Sequence, residues 1–266
     1  DRFPYLSYLD EFLSNYMSIF ELKCCLSSLE EYNVDYYLID GSIYGDLQNP
    51  FPKGVETSAK AKKELISATL NDFEEMVKNP SDKSVYSPKL FNKYFKIYQE
   101  YKYPYTLYLT TIERLVVLKE ILKNSRKMIA ISKSSSNNDI FHSNMPDIAI
   151  FDKYTQKEGI SKVIRKKVSK DINTTFPVFD EFFKDLKFTI FYLRLADYKN
   201  VLKVELPYEA SMAEIEEIAS KLKKFSTNGY PYLLKKAHND VVISDKNIKE
   251  LINIAKVREK SGREML

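Results

Sequence analysis

The sequence predicts an α/β protein in which a β-sheet carries helices on both faces. Two apolar runs, residues 34–42 and 127–135, each end in small and hydroxyl-bearing residues, as buried strands do where the chain turns. Residues 188–195 and 201–206 have the composition of an antiparallel strand pair joined by a short polar turn. Apolar residues at steps of three and four surround these runs, which is the spacing of amphipathic helices.

The chain opens with a clear helical pattern over residues 5–31. Its predicted inward stripe consists of Leu6, Leu9, Leu13, Met17, Phe20 and Cys24. Residues 34–42 follow at once, and because this run is apolar on both faces we expect a buried central strand. Further amphipathic helices are predicted over residues 212–225 and 248–258.

Residues 46–126 interrupt this alternation with helical patterns alone. Helices are predicted over residues 58–78, 90–101 and 107–122. Proline-containing loops separate the first two of them. We interpret the segment as an inserted helical arm for dimerisation or partner docking, with DNA contact as a second role. Residues 1–45 and 127–266 would then form the main domain.

Composition narrows the class of protein. A chain of 266 residues with 44% hydrophobic and 29% charged residues is typical of a soluble globular protein. Its two cysteines, Cys24 and Cys25, are adjacent, so a structural disulfide framework is excluded and a cytoplasmic location is expected. With two histidines and no zinc-type spacing, any metal is expected to be held by carboxylates, which suits Mg²⁺ or Mn²⁺.

The turn Asp40-Gly41-Ser42 follows the first predicted strand. An Asp-Gly pair often forms a turn and nothing more, but a carboxylate at the C-terminal tip of a buried strand also lies where open α/β sheets bind ligands. Glu21 lies on the flank of the preceding helix's apolar stripe, so it is either an ordinary rim glutamate or a second carboxylate directed at this tip. Two carboxylates brought together there would attract a divalent cation that can activate water.

Basic residues are clustered, although the net charge is only +4. The clusters are residues 60–63, 162–170, 221–224 and 235–236. Interleaved with 20 tyrosines and 16 phenylalanines, they fit a nucleic-acid surface, and ordinary solvated lysine-rich faces have the same composition. Lys133 ends the second apolar run among serines, which suits either a phosphate contact or a plain loop.

Four segments carry a resemblance to a known family. They are LIDGSIYGD at 38–46, AISKSS at 130–135, FYLRL at 191–195 and GYPYLLKKAHNDVVIS at 229–244. The last is the most specific, since Gly-Tyr-Pro and Ala-His at this spacing are uncommon by chance. In these segments the chain resembles the NurA nuclease family of archaea. The resemblance implies an RNase H-like mixed sheet flanked by helices, a homodimer, and docking on the hexameric HerA translocase, which acts with the nuclease in DNA end resection.

The resemblance also implies a site. Glu21 on the helix, Asp40 at the strand tip and His238 in the Ala-His motif would hold Mn²⁺, with Mg²⁺ as a second candidate, and Tyr230 would support them. By itself, a lone histidine is more often structural than a metal ligand. Family members have an earlier strand with its own Asp-Gly-Ser, which contributes another acidic ligand. No such strand precedes the Glu21 helix here, and we expect that the chain as given begins late.

The expected function is therefore a metal-dependent DNA nuclease in double-strand break repair. The resemblance implies a 5′–3′ exonuclease that also cuts single strands internally. Lys133 and Arg194 are weaker candidates for contacts to DNA phosphates. The alternative is a non-catalytic adaptor that clamps DNA for an ATPase, which a missing acidic ligand would favour. Small-molecule phosphotransfer is disfavoured because no glycine-rich loop occurs among the six glycines.

Overall fold

The computed structural model describes residues 6–48, 59–94, 102–168 and 176–241. The helices are α1 (Leu6–Glu31), α2 (Ile43–Gln48), α3 (Ala59–Val77), α4 (Ser87–Tyr94), α5 (Lys102–Leu122), α6 (Asp147–Tyr154), α7 (Asp180–Asp185), α8 (Met212–Lys224) and α9 (Tyr232–Val241). The strands are β1 (Tyr37–Asp40), β2 (Met128–Ser132), β3 (Gly159–Ile160), β4 (Ile164–Lys167), β5 (Lys187–Arg194), β6 (Leu202–Leu206), β7 (Ser226–Thr227) and β8 (Tyr230–Pro231). No helix in the described ranges is long and apolar enough to cross a membrane. The predicted helix at 248–258 and the end of the one at 90–101 lie outside the described residues.

One mixed sheet organises the molecule. Its strand order is β1-β2-β6-β5-β3, with β4 also paired to β5. β1 and β2 are parallel, with Asp40 opposite Ile131. β5 and β6 form the predicted antiparallel pair, with Phe191 opposite Val204. A parallel pair requires a crossover, and helices α2 to α5 supply it between β1 and β2.

Helices cover both faces of the sheet, as the alternating side chains of β2 show. Met128 and Ala130 belong to a core shared with α1 and α5, whereas Ile129 and Ile131 belong to a second core shared with α8. Successive side chains of a strand point to opposite faces, so both faces of β2 are buried. The prediction of a mixed sheet flanked by helices is confirmed. The more specific assignment to the RNase H-like fold stays a prediction.

β1 is shorter and more exposed than the sequence predicts. Its first three residues are half-buried, Asp40 is exposed, and the strand lies at the end of the described sheet. The prediction of a buried central strand over residues 34–42 is therefore wrong for the described residues. Tyrosines account for the misleading pattern, because the Tyr37 ring packs against the core while its hydroxyl donates to the carbonyls of Ser28 and Tyr32.

The bounds of α1 match the prediction, but its buried face does not. Leu13, Met17 and Phe20 are 51%, 65% and 52% exposed. The side chains of Leu6 and Leu9 lie outside the described part of the structure. The residues that α1 buries instead are Asn15, Ile19, Lys23 and Leu26. The predicted inward stripe is therefore wrong from Leu13 to Phe20.

Lys23 explains why the buried face of α1 was hidden in the sequence. A lysine normally marks the solvent side of a helix. Here Lys23 Nζ lies 2.7 Å from Glu113 Oε1 on α5, and both side chains are buried. Glu113 also accepts hydrogen bonds from the amides of Tyr86 and Ser87 at the start of α4, at 2.8 and 2.7 Å. One buried ion pair thus joins three helices.

The described helices of residues 46–126 share the core of the sheet. α5 packs along α1, and both α3 and α4 pack on α5. Ile112 and Leu115 of α5 lie in the same hydrophobic cluster as Met128 and Phe188 of the sheet. The boundaries of an inserted arm, and its role in dimerisation or docking, stay predictions.

Candidate functional site

β1 ends at Asp40, and the backbone just beyond it is held against β2. The amide of Gly41 donates to the carbonyl of Ile131 at 3.0 Å, which extends the strand pairing by one step. Gly41 has a φ of +133°, a conformation that residues with side chains rarely adopt. The Asp40 side chain is 46% exposed. A carboxylate is thus presented to solvent at the C-terminal tip of the strand.

Glu21 experiences the charges of two other carboxylates at this tip. Glu21 keeps exposed surface, yet desolvation by the surrounding protein raises its pKa above its usual value, and the charges of Asp40 and Asp46 raise it further. Asp46 keeps exposed surface, yet desolvation by the surrounding protein raises its pKa. Attraction to Arg114 opposes this shift, and the charge of Glu205 adds to it. Repulsion of this kind is relieved when a cation binds between the carboxylates.

Lys133 and Tyr230 complete the surroundings of Asp40. Lys133 Nζ lies 3.8 Å from Asp40 Oδ2 and 4.4 Å from the centre of the Tyr230 ring. Burial raises the pKa of Tyr230, the charge of Asp40 adds to the rise, and Lys133 opposes it. The Tyr230 hydroxyl is buried, and its pKa responds to both Lys133 and Asp40. Tyr230 therefore belongs to the same polar cluster as these two residues.

His238 and Arg194 lie in different surroundings. His238 is exposed in the last turn of α9, a helix that packs against β1. Within the described ranges, no group of three histidine, cysteine, aspartate or glutamate side chains lies close enough together to hold a metal ion. Arg194 is 5% exposed and donates to the carbonyl of Thr155 at 2.9 Å, so its guanidinium holds the C-terminal end of α6. A DNA contact by Arg194 stays a prediction.

Residues that the sequence reasoning missed surround the same turn. Asp46 lies on α2, and its signal was present as the second aspartate of the segment LIDGSIYGD. Glu205 and Lys203 lie on β6 and are 0% and 1% exposed. Their alternation with apolar residues resembles the solvent face of a half-buried strand, but every residue of this strand is buried.

The chemistry of the donors suits a hard divalent cation. Carboxylate oxygens are the preferred protein ligands of Mg²⁺ and Mn²⁺. Ions of the Mg²⁺ type often use only one or two carboxylates and keep several bound waters. Glu21 and Asp40 therefore fit such an ion, although the described residues do not form a complete ligand set.

Comparison with known sequences identifies the relatives of this chain. Residues 3–243 match the family model described as the NurA domain. The chain is 28% identical over 276 residues to a "Probable DNA double-strand break repair nuclease NurA" of Methanocaldococcus jannaschii, covering 97% of this chain and 68% of the relative. It is 30% identical over 254 residues to a "DNA double-strand break repair nuclease NurA" of Sulfurisphaera tokodaii, covering 92% and 66%. The chain thus spans about two thirds of the length of these relatives.

Solved structures resemble the fold. The NurA nuclease from Sulfolobus solfataricus superposes with a TM-score of 0.66 at 25% identity, covering 94% of this chain and 67% of that one. A structure of NurA bound to dAMP and manganese superposes with a TM-score of 0.68 at 15% identity, covering 96% and 78%, which is a likeness of fold alone. Because the family model spans nearly the whole sequence, the chain belongs to the NurA family.

Proposed function

We propose that this protein is a metal-dependent deoxyribonuclease, which hydrolyses DNA phosphodiester bonds at the tip of β1. The observation that carries the proposal is the exposed Asp40 carboxylate at the C-terminal tip of β1, with Lys133 Nζ 3.8 Å from its Oδ2. Carboxylates crowded at an accessible strand tip, next to a lysine, suit a site for a cation and a phosphate. The names of the relatives support DNA as the substrate.

The proposed metal is Mn²⁺, with Mg²⁺ as a second candidate. Glu21 and Asp40 would hold it, and His238 would complete the coordination or assist proton transfer. Manganese is present in a solved NurA structure, which supports this choice. When bound, such an ion lowers the pKa of water and stabilises charge on the phosphate undergoing attack.

Side chains of this protein would orient the DNA. Lys133, whose Nζ lies 3.8 Å from Asp40 Oδ2, would hold a phosphate oxygen through a charge-assisted hydrogen bond. Tyr230 would act as a hydrogen-bond donor, because the pKa of a tyrosine lies well above neutral pH even before burial raises it. The proposed role of Tyr230 is therefore to donate a hydrogen bond to a phosphate oxygen rather than to act as a base.

The finer parts of the proposal come from membership of the family. We propose 5′–3′ exonuclease activity, with cutting inside single strands as a second activity, in the resection of DNA ends at double-strand breaks. The protein would act as a homodimer docked on the hexameric HerA ATPase. The helical segment at residues 46–126 is the candidate for dimerisation or docking.

Cleavage of end-labelled linear DNA in Mn²⁺ and in EDTA tests the activity and the place of Asp40. We expect metal-dependent cleavage that falls at least about 100-fold in Asp40→Ala, with DNA binding intact by fluorescence anisotropy. Asp35→Ala is the matched control, since this exposed aspartate precedes β1 at its other end and should cleave normally. Cleavage that survives in Asp40→Ala would remove Asp40 from the site.

One observation favours the non-catalytic alternative. The described residues lack a cluster of three metal-ligating side chains, which suits an adaptor that binds DNA without cutting it. Such an adaptor would bind DNA equally in Mn²⁺ and in EDTA and would leave the label intact in both. The same assay therefore separates the two functions.

A further inference from the structure

Glu205 and Lys203 form a buried charge pair in the middle of the sheet. Lys203 Nζ lies 2.7 Å from Glu205 Oε1, and their side chains are 2% and 0% exposed. β6 lies between β2 and β5, so neither residue is at an edge. A buried ion pair contributes little net stability compared with apolar residues of similar size. The contacts of the Lys203–Glu205 pair therefore indicate its role better than its contribution to stability does.

The carboxylate of Glu205 reaches across β2 to the turn after β1. Its Oε1 accepts a hydrogen bond from Ser42 Oγ at 2.5 Å, and its Oε2 accepts one from the amide of Tyr44 at 2.9 Å. Ser42 Oγ also accepts a hydrogen bond from the amide of Gly45 at 2.8 Å. The buried Glu205 side chain thus binds the Ser42 hydroxyl and the Tyr44 amide directly. Through Ser42 it is also linked to the Gly45 amide in the first turn of α2.

Gly45 indicates that this arrangement is tight. A Cβ at position 45 would lie 2.8 Å from Ser42 Oγ, closer than side chains approach one another. A residue with a side chain would therefore displace the hydroxyl that bonds to Glu205. Asp40 lies immediately before this turn and Asp46 lies in α2, the helix that follows it, so the geometry of the turn affects where both carboxylates lie.

We propose that Glu205 is a positioning residue, which acts through Ser42 and the Tyr44 amide to hold Asp40 and Asp46 in the geometry that binds the metal. This role rests on the proposed nuclease function. Lys203 Nζ, 2.7 Å from Glu205 Oε1, orients the carboxylate so that it offers acceptors to both donors of the turn. Groups that orient metal ligands in this way typically change metal affinity about 10- to 100-fold when they are removed.

Ser42→Ala tests the role with little disturbance, because it removes the hydroxyl and leaves the Lys203–Glu205 pair. In the absence of DNA, Mn²⁺ titrations followed by electron paramagnetic resonance of the free ion should show affinity weakened about 10- to 100-fold. With DNA, kcat should fall while KM for DNA changes little. Ser42→Thr keeps the hydroxyl and should therefore retain most of the Mn²⁺ affinity and most of kcat. The double change Lys203→Met and Glu205→Gln should weaken Mn²⁺ binding likewise.

Thr189→Val is the matched control for loss of a buried hydroxyl. Thr189 on β5 donates to the carbonyl of Tyr208 and accepts from the amide of Ala210, at 2.8 and 2.9 Å, away from the turn. Thr189→Val should lower Tm as Ser42→Ala does, and it should leave Mn²⁺ affinity unchanged.

The outcomes separate this proposal from the nuclease itself. Unchanged Mn²⁺ affinity in Ser42→Ala, with Asp40→Ala inactive, would overturn the positioning role and leave the nuclease standing. Equal losses in Thr189→Val would also overturn it, because general stability would then account for the effect. If the unaltered chain neither bound Mn²⁺ nor cut DNA, the nuclease would fail and the positioning role with it.

Discussion

At the scale of single residues, Glu21 carries an energetic penalty that its own fold imposes. Desolvation by the surrounding protein and the charges of Asp40 and Asp46 raise its pKa. A carboxylate whose pKa is higher in the folded than in the unfolded state binds its proton more tightly when folded. Its contribution to stability is therefore greatest below the unfolded pKa and is lost as the pH rises through the raised folded value. At neutral pH the ionised group opposes folding.

Removing this charge should stabilise the metal-free protein while harming the proposed function. Glu21→Gln keeps the shape of the side chain, so we expect Tm at pH 7 in EDTA to rise by about 1 °C. Mn²⁺ binding should weaken, because a carboxylate ligand is lost. Differential scanning calorimetry and a Mn²⁺ titration measure the two effects.

The pH dependence supplies the control for Glu21→Gln. The advantage of the variant in Tm should disappear below the usual pKa of glutamate, where Glu21 is protonated and carries no charge. Glu30→Gln, an exposed change near the end of the same helix, should alter Tm little at either pH. A lower Tm for Glu21→Gln at neutral pH would contradict the repulsion.

Residue types at the site were partly visible in the sequence. Asp40 was found because an Asp-Gly turn follows an apolar run, and Glu21 because it flanks a helical stripe. Glu205 could not be found, because a charged residue that alternates with apolar ones normally faces solvent. Only the burial of β6 on both faces makes its position internal.

At the scale of elements, α1 is held by charge as well as by apolar contact. Lys23 and Glu113 pair at 2.7 Å with side chains 4% and 0% exposed. Breaking one partner of a buried pair leaves the other charge without compensation, which costs about 3–5 kcal/mol. The contact is therefore a sensitive point of the helical layer.

Lys23→Met should destabilise the protein strongly. At about 2–4 °C per kcal/mol, Tm should fall by roughly 10 °C. Adding Glu113→Gln should recover part of the loss, since an amide oxygen in the place of Oε2 can still accept from the amides of both Tyr86 and Ser87. The matched control is Lys78→Met. Because Lys78 and its partner Glu75 are both exposed, this change should alter Tm little. Similar losses in both single variants, by circular dichroism, would contradict the buried pair.

Elements were more predictable than their orientations. The periodicity located α1, α3, α5 and α8, and the apolar composition located β2, β5 and β6. The rotation of α1 was wrong because the helix has two stripes with apolar residues, and the buried one contains Lys23. Choosing between them requires Glu113, which lies on another helix far along the chain.

At the scale of the whole molecule, several of the clustered lysines already form ion pairs with acidic residues. Lys221, Lys223 and Lys236 pair with Glu217, Glu158 and Asp240 at 2.7 to 2.8 Å. A lysine that must leave one anion to bind another contributes less to DNA affinity. The net charge of +4 points the same way.

DNA binding should therefore depend only moderately on salt. We expect a plot of log K against log salt concentration to have a slope of roughly −2 to −4, which corresponds to a few neutralised phosphates. Fluorescence anisotropy in EDTA, where cleavage is suppressed, measures it. Lys133→Ala should reduce the slope by about 1, whereas Lys78→Ala should leave it unchanged. A slope steeper than about −8 would indicate a much larger basic surface.

The parallel pairing of β1 with β2 also sets the order in which the molecule assembles. Tyr37 pairs with Met128, across the whole helical segment, whereas β5 and β6 are joined by a short turn. Contacts between distant parts of a chain carry a higher entropic cost and form more slowly than local ones. Asp40 reaches its place only through this distant pairing and the Gly41 amide bonded to Ile131. A refolding chain would therefore form its hairpin and helices first and bring the proposed site at Asp40 together last.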